Sequence, residues 1–121
     1  MRRDMDLCRE ILRRVEAHPR GNEAFRLQIE GRSAEEVSYH VKILGQAGLL
    51  ETYRGPADVS MPVALTWAGC EFMDATRDDH RWRDVKARAL RATGSLGFEV
   101  VKTVITHMTE AAVKAIVGAS T

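Results

Sequence analysis

At 121 residues, 45% of them hydrophobic, the chain is the size of one domain and carries enough apolar content to fill a single core. Charged residues make up 29% and the formal net charge is +1, a balance that excludes a charge-driven disordered chain and, in its totals, a strongly basic nucleic-acid binder. The amino terminus, Met1-Arg2-Arg3-Asp4-Met5-Asp6, runs straight into an amphipathic pattern without an apolar signal-peptide core, and no later stretch is long enough to span a bilayer; a cytoplasmic protein without membrane association is expected.

The first helix is predicted from about Asp6 to Ala17, because Leu7, Cys8, Ile11, Leu12 and Val15 recur at three- and four-residue steps while Arg9, Arg13 and Arg14 fall elsewhere. Pro19 ends it, and His18 is placed to meet the last free carbonyls of the helix. Gly21 and Asn22 turn the chain into Phe25-Arg26-Leu27-Gln28-Ile29-Glu30, whose unbroken alternation predicts a strand with one buried face, closed by Gly31. Ser33-Ala34-Glu35-Glu36 has the form of a capping box, so a second helix begins at Ser33. Its inward stripe is Val37, Val41 and Leu44, flanked by His40, Ile43 and Ala47, and Gly48 ends it in a left-handed cap.

Leu49 and Leu50 anchor a short strand, Arg54-Gly55-Pro56-Ala57-Asp58 is loop chemistry, and Val63-Ala64-Leu65 resumes an extended run, which together predict a hairpin with a long tip. Thr66 caps a third helix running to about Arg77 and expected to bury Trp67, Cys70 and Met73, with Phe72 a further candidate. Asp78-Asp79 marks its exit. A fourth helix spans about His80 to Thr93, and Gly94-Ser95 separates it from a long last helix with Val101, Val104, Ile105, Met108, Ala111, Ala112 and Ala115 at apolar positions. The fold class is therefore mainly α with a small β-sheet (α+β): a first domain over residues 1–78, then a C-terminal helical extension over 79–121, packed on that domain or dimerising.

The order helix, strand, helix, hairpin, helix resembles the winged helix-turn-helix plan. Ser38-Tyr39-His40-Val41-Lys42-Ile43-Leu44 followed by Ala47-Gly48-Leu49-Leu50 resembles the recognition helix and the start of the wing in many bacterial repressors. Leu65-Thr66-Trp67-Ala68-Gly69 followed by Phe72-Met73 looks like the exit from their wing. Over nearly its whole length the chain is similar to an uncharacterised family of bacteria and phages, domain of unknown function 2513, through Arg3-Asp4-Met5-Asp6-Leu7, Tyr39-His40-Val41, Leu65-Thr66-Trp67 and Ala75-Thr76-Arg77-Asp78-Asp79. That resemblance implies a winged-helix-like fold and brings no established activity. One departure stands out: a helix-turn-helix needs a helix before the recognition helix to cross the DNA backbone, whereas here the Phe25–Ile29 run leads almost directly to Ser33.

At 100° per residue, the face of the second helix opposite Val37, Val41 and Leu44 carries Glu35, Ser38, Tyr39, Lys42 and Gln46. Ser38, Tyr39, Lys42 and Gln46, with Arg54 on the wing, are the candidate contacts to double-stranded DNA, since such side chains bond base edges and phosphates. Glu35 meets phosphate with the wrong sign, and a plain solvated face explains the same residues. Residues 1–78 hold 11 Lys and Arg against 13 Asp and Glu, a net of −2, whereas residues 79–121 hold 7 against 4, a net of +3. The densest cationic run is Arg81, Arg83, Lys86, Arg88 and Arg91 on the fourth helix, offset in part by Asp84. This acidic balance favours a second class of function, a protein-interaction module on the same scaffold.

Catalysis is not expected, because His18, His40, His80 and His107 are scattered, with no phosphate loop, paired nucleophile or metal-ligand spacing. His40, at the edge of the inward stripe, reads as a hydrogen-bonded packing residue, and His107 as a helix-surface one. Cys8 and Cys70 form no CxxC and are expected to be buried small hydrophobes, so no metal, disulfide or cofactor is implied. The last helix carries a packing seam through Val101, Val104, Met108, Ala111 and Ala115, widened by Ile105, Ala112 and Ile116. It suits either packing on its own domain, against the first helix, or a homodimer interface.

Overall fold

The computed structural model describes residues 1–119. Among them are α1 (Met5–Ala17), α2 (Ala34–Gln46), β1 (Leu50–Arg54), β2 (Ser60–Leu65), α3 (Trp67–Thr76), α4 (Asp79–Thr93) and α5 (Phe98–Ala119), so the fold is mainly helical with one small antiparallel sheet. The chain divides into two compact units, one from Met1 to Thr76 and one from Arg77 onward.

In the first unit, α1 starts ahead of the expected Asp6, because the Asp4 carboxylate accepts from the N–H groups of Asp6 (3.0 Å) and Leu7 (3.2 Å) and so caps the helix itself. Met5, Leu7, Cys8, Ile11, Leu12 and Val15 are buried, and α1 packs against α2, α3 and β2. The His18 ring does not reach the helix carbonyls. Pro19 holds His18 in an extended conformation (φ −68°, ψ 132°), which carries the ring past the helix end onto Phe25, stacked at 3.7 Å and 5°.

The segment 25–29 keeps its predicted alternation without becoming a ladder strand. Ile29 is buried and Phe25 and Leu27 half-buried, while Arg26, Gln28 and Glu30 are exposed. Its one backbone bond to β2 runs from the Phe25 N–H to the Pro62 carbonyl at 3.2 Å. The reason lies in β2: Pro62 has no N–H to give, and the Ser60 N–H is taken by the Ser38 hydroxyl at 2.9 Å. A third strand finds too few partners there, and the segment is held by its side chains instead.

The capping box of α2 is formed, with the Glu36 N–H donating to Ser33 Oγ (3.0 Å) and the Ser33 N–H to Glu36 Oε1 (3.4 Å). No helix lies between Ala17 and Ala34, so the supporting helix of the helix-turn-helix plan is absent. Gly48, at φ +80°, ends the α2 region in the left-handed conformation. The hairpin then pairs Leu50 with Leu65 through to Arg54 with Ser60, with an irregularity after Glu51. Its tip is a two-residue turn with both central residues left-handed, Ala57 (φ 58°) and Asp58 (φ 59°), closed by the Val59 N–H on the Pro56 carbonyl at 3.3 Å.

The third helix is capped as expected, by the Gly69 N–H on Thr66 Oγ1 at 3.1 Å, but it is rotated from the predicted orientation. Its buried face is Gly69, Phe72, Met73 and Thr76, whereas Trp67 is 83% exposed and Cys70 is exposed. Both expected burials are therefore corrected. Gly69 explains the rotation: the first turn of α3 lies on the Leu49 carbonyl so closely that no side chain fits there. With Gly69 fixed inward, Trp67 falls about 160° and Cys70 about 100° around the helix from it.

In the second unit, Asp78 caps α4 through the Arg81 N–H (2.9 Å) and Gly94, at φ 74°, ends it. α4 packs on α5; Trp82, Val85 and Ala89 of α4 and Val101 of α5 are buried. The seam of α5 is covered only in its first half: Val104, Ile105 and Met108 are half-buried, and Ala111 to Gly118 are exposed. No helix among the described residues is long and apolar enough to cross a membrane.

Candidate nucleic-acid interface

The hairpin is locked to the flank of α2. At one end the Ser60 N–H donates to Ser38 Oγ. At the other, Gly45 leaves room for Thr52, whose Cγ2 would sit 2.9 Å from any Cβ at that position. Ser38 is half-buried by this arrangement and acts as a tether for the hairpin, where the sequence placed it among the exposed readers. Lys42 and Gln46 are exposed on the outward face, as is Glu35. Tyr39 is half-buried, its ring edge-on to His40 at 5.4 Å. On the hairpin Arg54 is exposed, with Asp58 3.9 Å away, a separation at which an exposed pair contributes little. Tyr53, 57% exposed, stands beside it; its aromatic bulk on the wing was not singled out from the sequence.

Between segment 26–28, the start of α2 and the hairpin tip runs a groove of about 390 Å³, with Leu27, Val37, Tyr39, Val59 and Met61 in its walls. A surface for phosphate alone would not be expected to be apolar there.

Behind α2 lies a joint of which sequence reasoning singled out only His40, expected as a hydrogen-bonded packing residue and found as one. Arg32 reaches Asp4 at 2.9 Å and Glu36 at 3.2 Å, tying the cap of α1 to the first turn of α2. His40 is buried, with Nδ1 2.8 Å from the Glu36 carbonyl and Nε2 accepting from the Asp4 N–H at 2.9 Å. The carbonyl can only accept and the amide can only donate, so the ring carries its proton on Nδ1. Partial burial pushes the Asp4 carboxyl up, but its bonds from Arg32 and from the Leu7 and Asp6 amides outweigh this and hold it below the usual range. Glu36 is lowered chiefly by the hydrogen bond from Arg32, and Arg32 in turn is raised, first by Asp4 and then by Glu36. The i,i+4 spacing of Arg32 and Glu36 was visible in sequence; the partner 28 residues back was not.

The cationic run on α4 does not form one stripe. Arg88 pairs with Asp84 at 3.3 Å, Lys86 lies over the Trp82 ring at 5.7 Å, Arg81 is half-buried, and Arg83 and Arg91 are exposed. No group of three His, Cys, Asp or Glu side chains among the described residues is arranged to hold a metal ion. Burial pushes the Cys8 thiol up to about 12, which makes it a poor nucleophile.

Residues 2–95 match the family described as "Hypothetical protein (DUF2513)". The chain belongs to the DUF2513 family. An uncharacterized protein of Haemophilus influenzae is 32% identical over 108 residues, a stretch covering 86% of this chain and 92% of that protein. No solved structure matches. The DUF2513 match stops before α5 begins at Phe98. Inside it, the phrases that carried the resemblance fall at joints of the fold. Asp4 meets His40 as described, Thr66 caps α3 and donates its hydroxyl to the Gly48 carbonyl, the Thr76 carbonyl accepts from Arg9 Nε at 2.8 Å, and Asp78 caps α4.

Proposed function

We propose that this DUF2513 protein binds double-stranded DNA through a winged-helix surface and so regulates transcription, with α2 in the major groove and the β1–β2 hairpin as the wing. The observation that carries the reading is the double lock between hairpin and helix, Ser38 to Ser60 and Gly45 to Thr52, which fixes the hairpin that bears Arg54 against the helix that bears Lys42 and Gln46. Gln46 suits bidentate bonding to adenine and Lys42 to guanine or phosphate, while Tyr39 and Arg54 suit the backbone. The Asp4–Arg32–Glu36–His40 joint supports the reading in a further way, because it braces α2 from α1 where the usual supporting helix is missing. On this reading the protein acts by binding and not by catalysis.

The test is fluorescence anisotropy with a mixed-sequence duplex, begun at low salt and repeated across a salt titration. Binding should weaken steeply with salt, and Lys42→Ala and Arg54→Ala should each reduce the slope by about one. No binding at low salt overturns the reading.

A second reading, a protein-interaction module, is favoured by the apolar groove beside α2 and by Glu35 exposed at its rim. In that case the duplex does not bind, and substitutions at Leu27 or Met61 abolish capture of the partner while Lys42→Ala does not.

A further inference from the structure

Tryptophan is on average among the most buried side chains, yet Trp67 is the most exposed large hydrophobic residue described, at 83%. The exposure is built in. Gly69 seats the first turn of α3 on the Leu49 carbonyl, and Phe72, Met73 and Thr76 follow it into the core, so the indole is carried to the opposite face. That face continues with Cys70, Glu71 and Asp74, all exposed, and α3 contains neither Lys nor Arg. Glu71 lies one helical turn from Trp67, close enough for one incoming side chain to touch both.

We infer that Trp67 and Glu71 form a docking anchor for an arginine-bearing segment of a partner protein. Indole is the best aromatic acceptor for a cation, and a guanidinium can stack on its face while offering its N–H fork to a carboxylate. The small Cys70 flanks Trp67 on the side away from Glu71. Asp74, a turn further on, adds negative charge to the same face. Phosphate is repelled by this arrangement, so the face is no second DNA contact; the inference uses neither α2 nor the hairpin and stands or falls apart from the DNA reading.

The experiment titrates full-length protein with a hexa-arginine peptide and, as control, a hexa-citrulline peptide of the same shape without charge. Trp82 is buried, so subtracting the spectrum of the Trp67→Phe variant and quenching with acrylamide, which is uncharged and indifferent to the acidic face, isolate Trp67. Saturable protection of Trp67 from acrylamide by the arginine peptide alone is expected. Trp67→Ala should weaken binding, read by calorimetry, about thirtyfold, as for an interface hot spot, and Glu71→Gln about tenfold. Both variants should keep the wild-type thermal midpoint and DNA affinity, because neither side chain packs in the core. Equal binding of both peptides, or undiminished binding by either variant, overturns the inference. So does protection of Trp67 that rises with protein concentration alone, which would give the face to a second copy of the chain.

Discussion

Replacing Gly69 with alanine tests the packing that sets the orientation of α3. In a helix the exchange ordinarily gains about 1 kcal/mol from backbone propensity. Here the added methyl overlaps the Leu49 carbonyl oxygen and comes within 3.2 Å of its carbon and 3.3 Å of Leu65 Cβ. That carbonyl cannot simply retreat, because it accepts the Thr66 N–H at 3.1 Å. Moving it forfeits a hydrogen bond of about 1 kcal/mol, and forcing the helix outward costs a further 1–3 kcal/mol, roughly, in displaced core contacts at Phe72 and Met73. The net expectation is a loss of about 2 kcal/mol, or about 8 °C in the thermal midpoint for a chain of this size. Circular dichroism at 222 nm measures it, with Gly45→Ala as comparison. The Cβ of that variant meets side-chain atoms of Thr52, Cγ2 at 2.9 Å and Oγ1 at 3.1 Å, which give way by a small shift where a hydrogen-bonded carbonyl does not, so its net loss should be smaller, about 1 kcal/mol or less. A Gly69→Ala protein as stable as wild type, or more so, would refute the account of why Trp67 faces solvent.

Ala57→Asn should stabilise the protein by about 0.5–1 kcal/mol, read as a higher urea midpoint, because asparagine tolerates the left-handed φ of 58° that alanine resists. Asp4, Glu10 and Glu36 are all held below their ordinary values of 3.8, 4.5 and 4.5, Glu10 because Arg13 and Arg14 outweigh its partial burial. Folded values below unfolded ones contribute stability that is present above about pH 4.5 and lost as pH falls through the folded values. The urea midpoint should therefore drop on acidification below about pH 4.5, and less in Arg32→Met, which removes the partner of Asp4 and Glu36. In a thiol-reagent assay Cys70 should react in the native protein while Cys8, buried and with its thiol pushed up to about 12, should wait for denaturant.

Periodicity reveals α1 to α4 because each has a buried stripe and a side chain that caps its start, and α5 because its apolar seam follows the Gly94 stop. It could not reveal contacts set by residues far apart in sequence. The alternation at 25–29 reported burial truthfully, yet whether it became a strand depended on a missing N–H at Pro62 and a hydroxyl at Ser38. The outward face of α2 was read correctly for Lys42 and Gln46, which only need to be opposite Val37 and Val41. Ser38 sits on the border of that face, and which way it turned was decided by a hairpin 22 residues later. Trp67 and Cys70 were misplaced for the same reason. Their apolarity suggested burial, while the contact that fixed the helix rotation belonged to a glycine, a residue without a side chain to enter any hydrophobic count.

The joints also explain why the family resemblance carries architecture and leaves activity open. Asp4, His40, Thr66, Thr76 and Asp78, taken from the phrases that resemble DUF2513, spend their polar groups on capping helices or bonding one element to another. Side chains used in this way hold any chain with the same pattern to the same arrangement of α1, α2 and α3. Lys42, Gln46 and Arg54 lie outside those phrases on exposed surface, and so does Glu71. They can change without disturbing a single joint, and it is on such positions that a target is chosen. Two chains could therefore share the scaffold, with Tyr39 and Trp67 inside the shared phrases, while differing at Lys42, Gln46, Arg54 and Glu71, and the DNA and peptide titrations interrogate the positions in which that difference would reside.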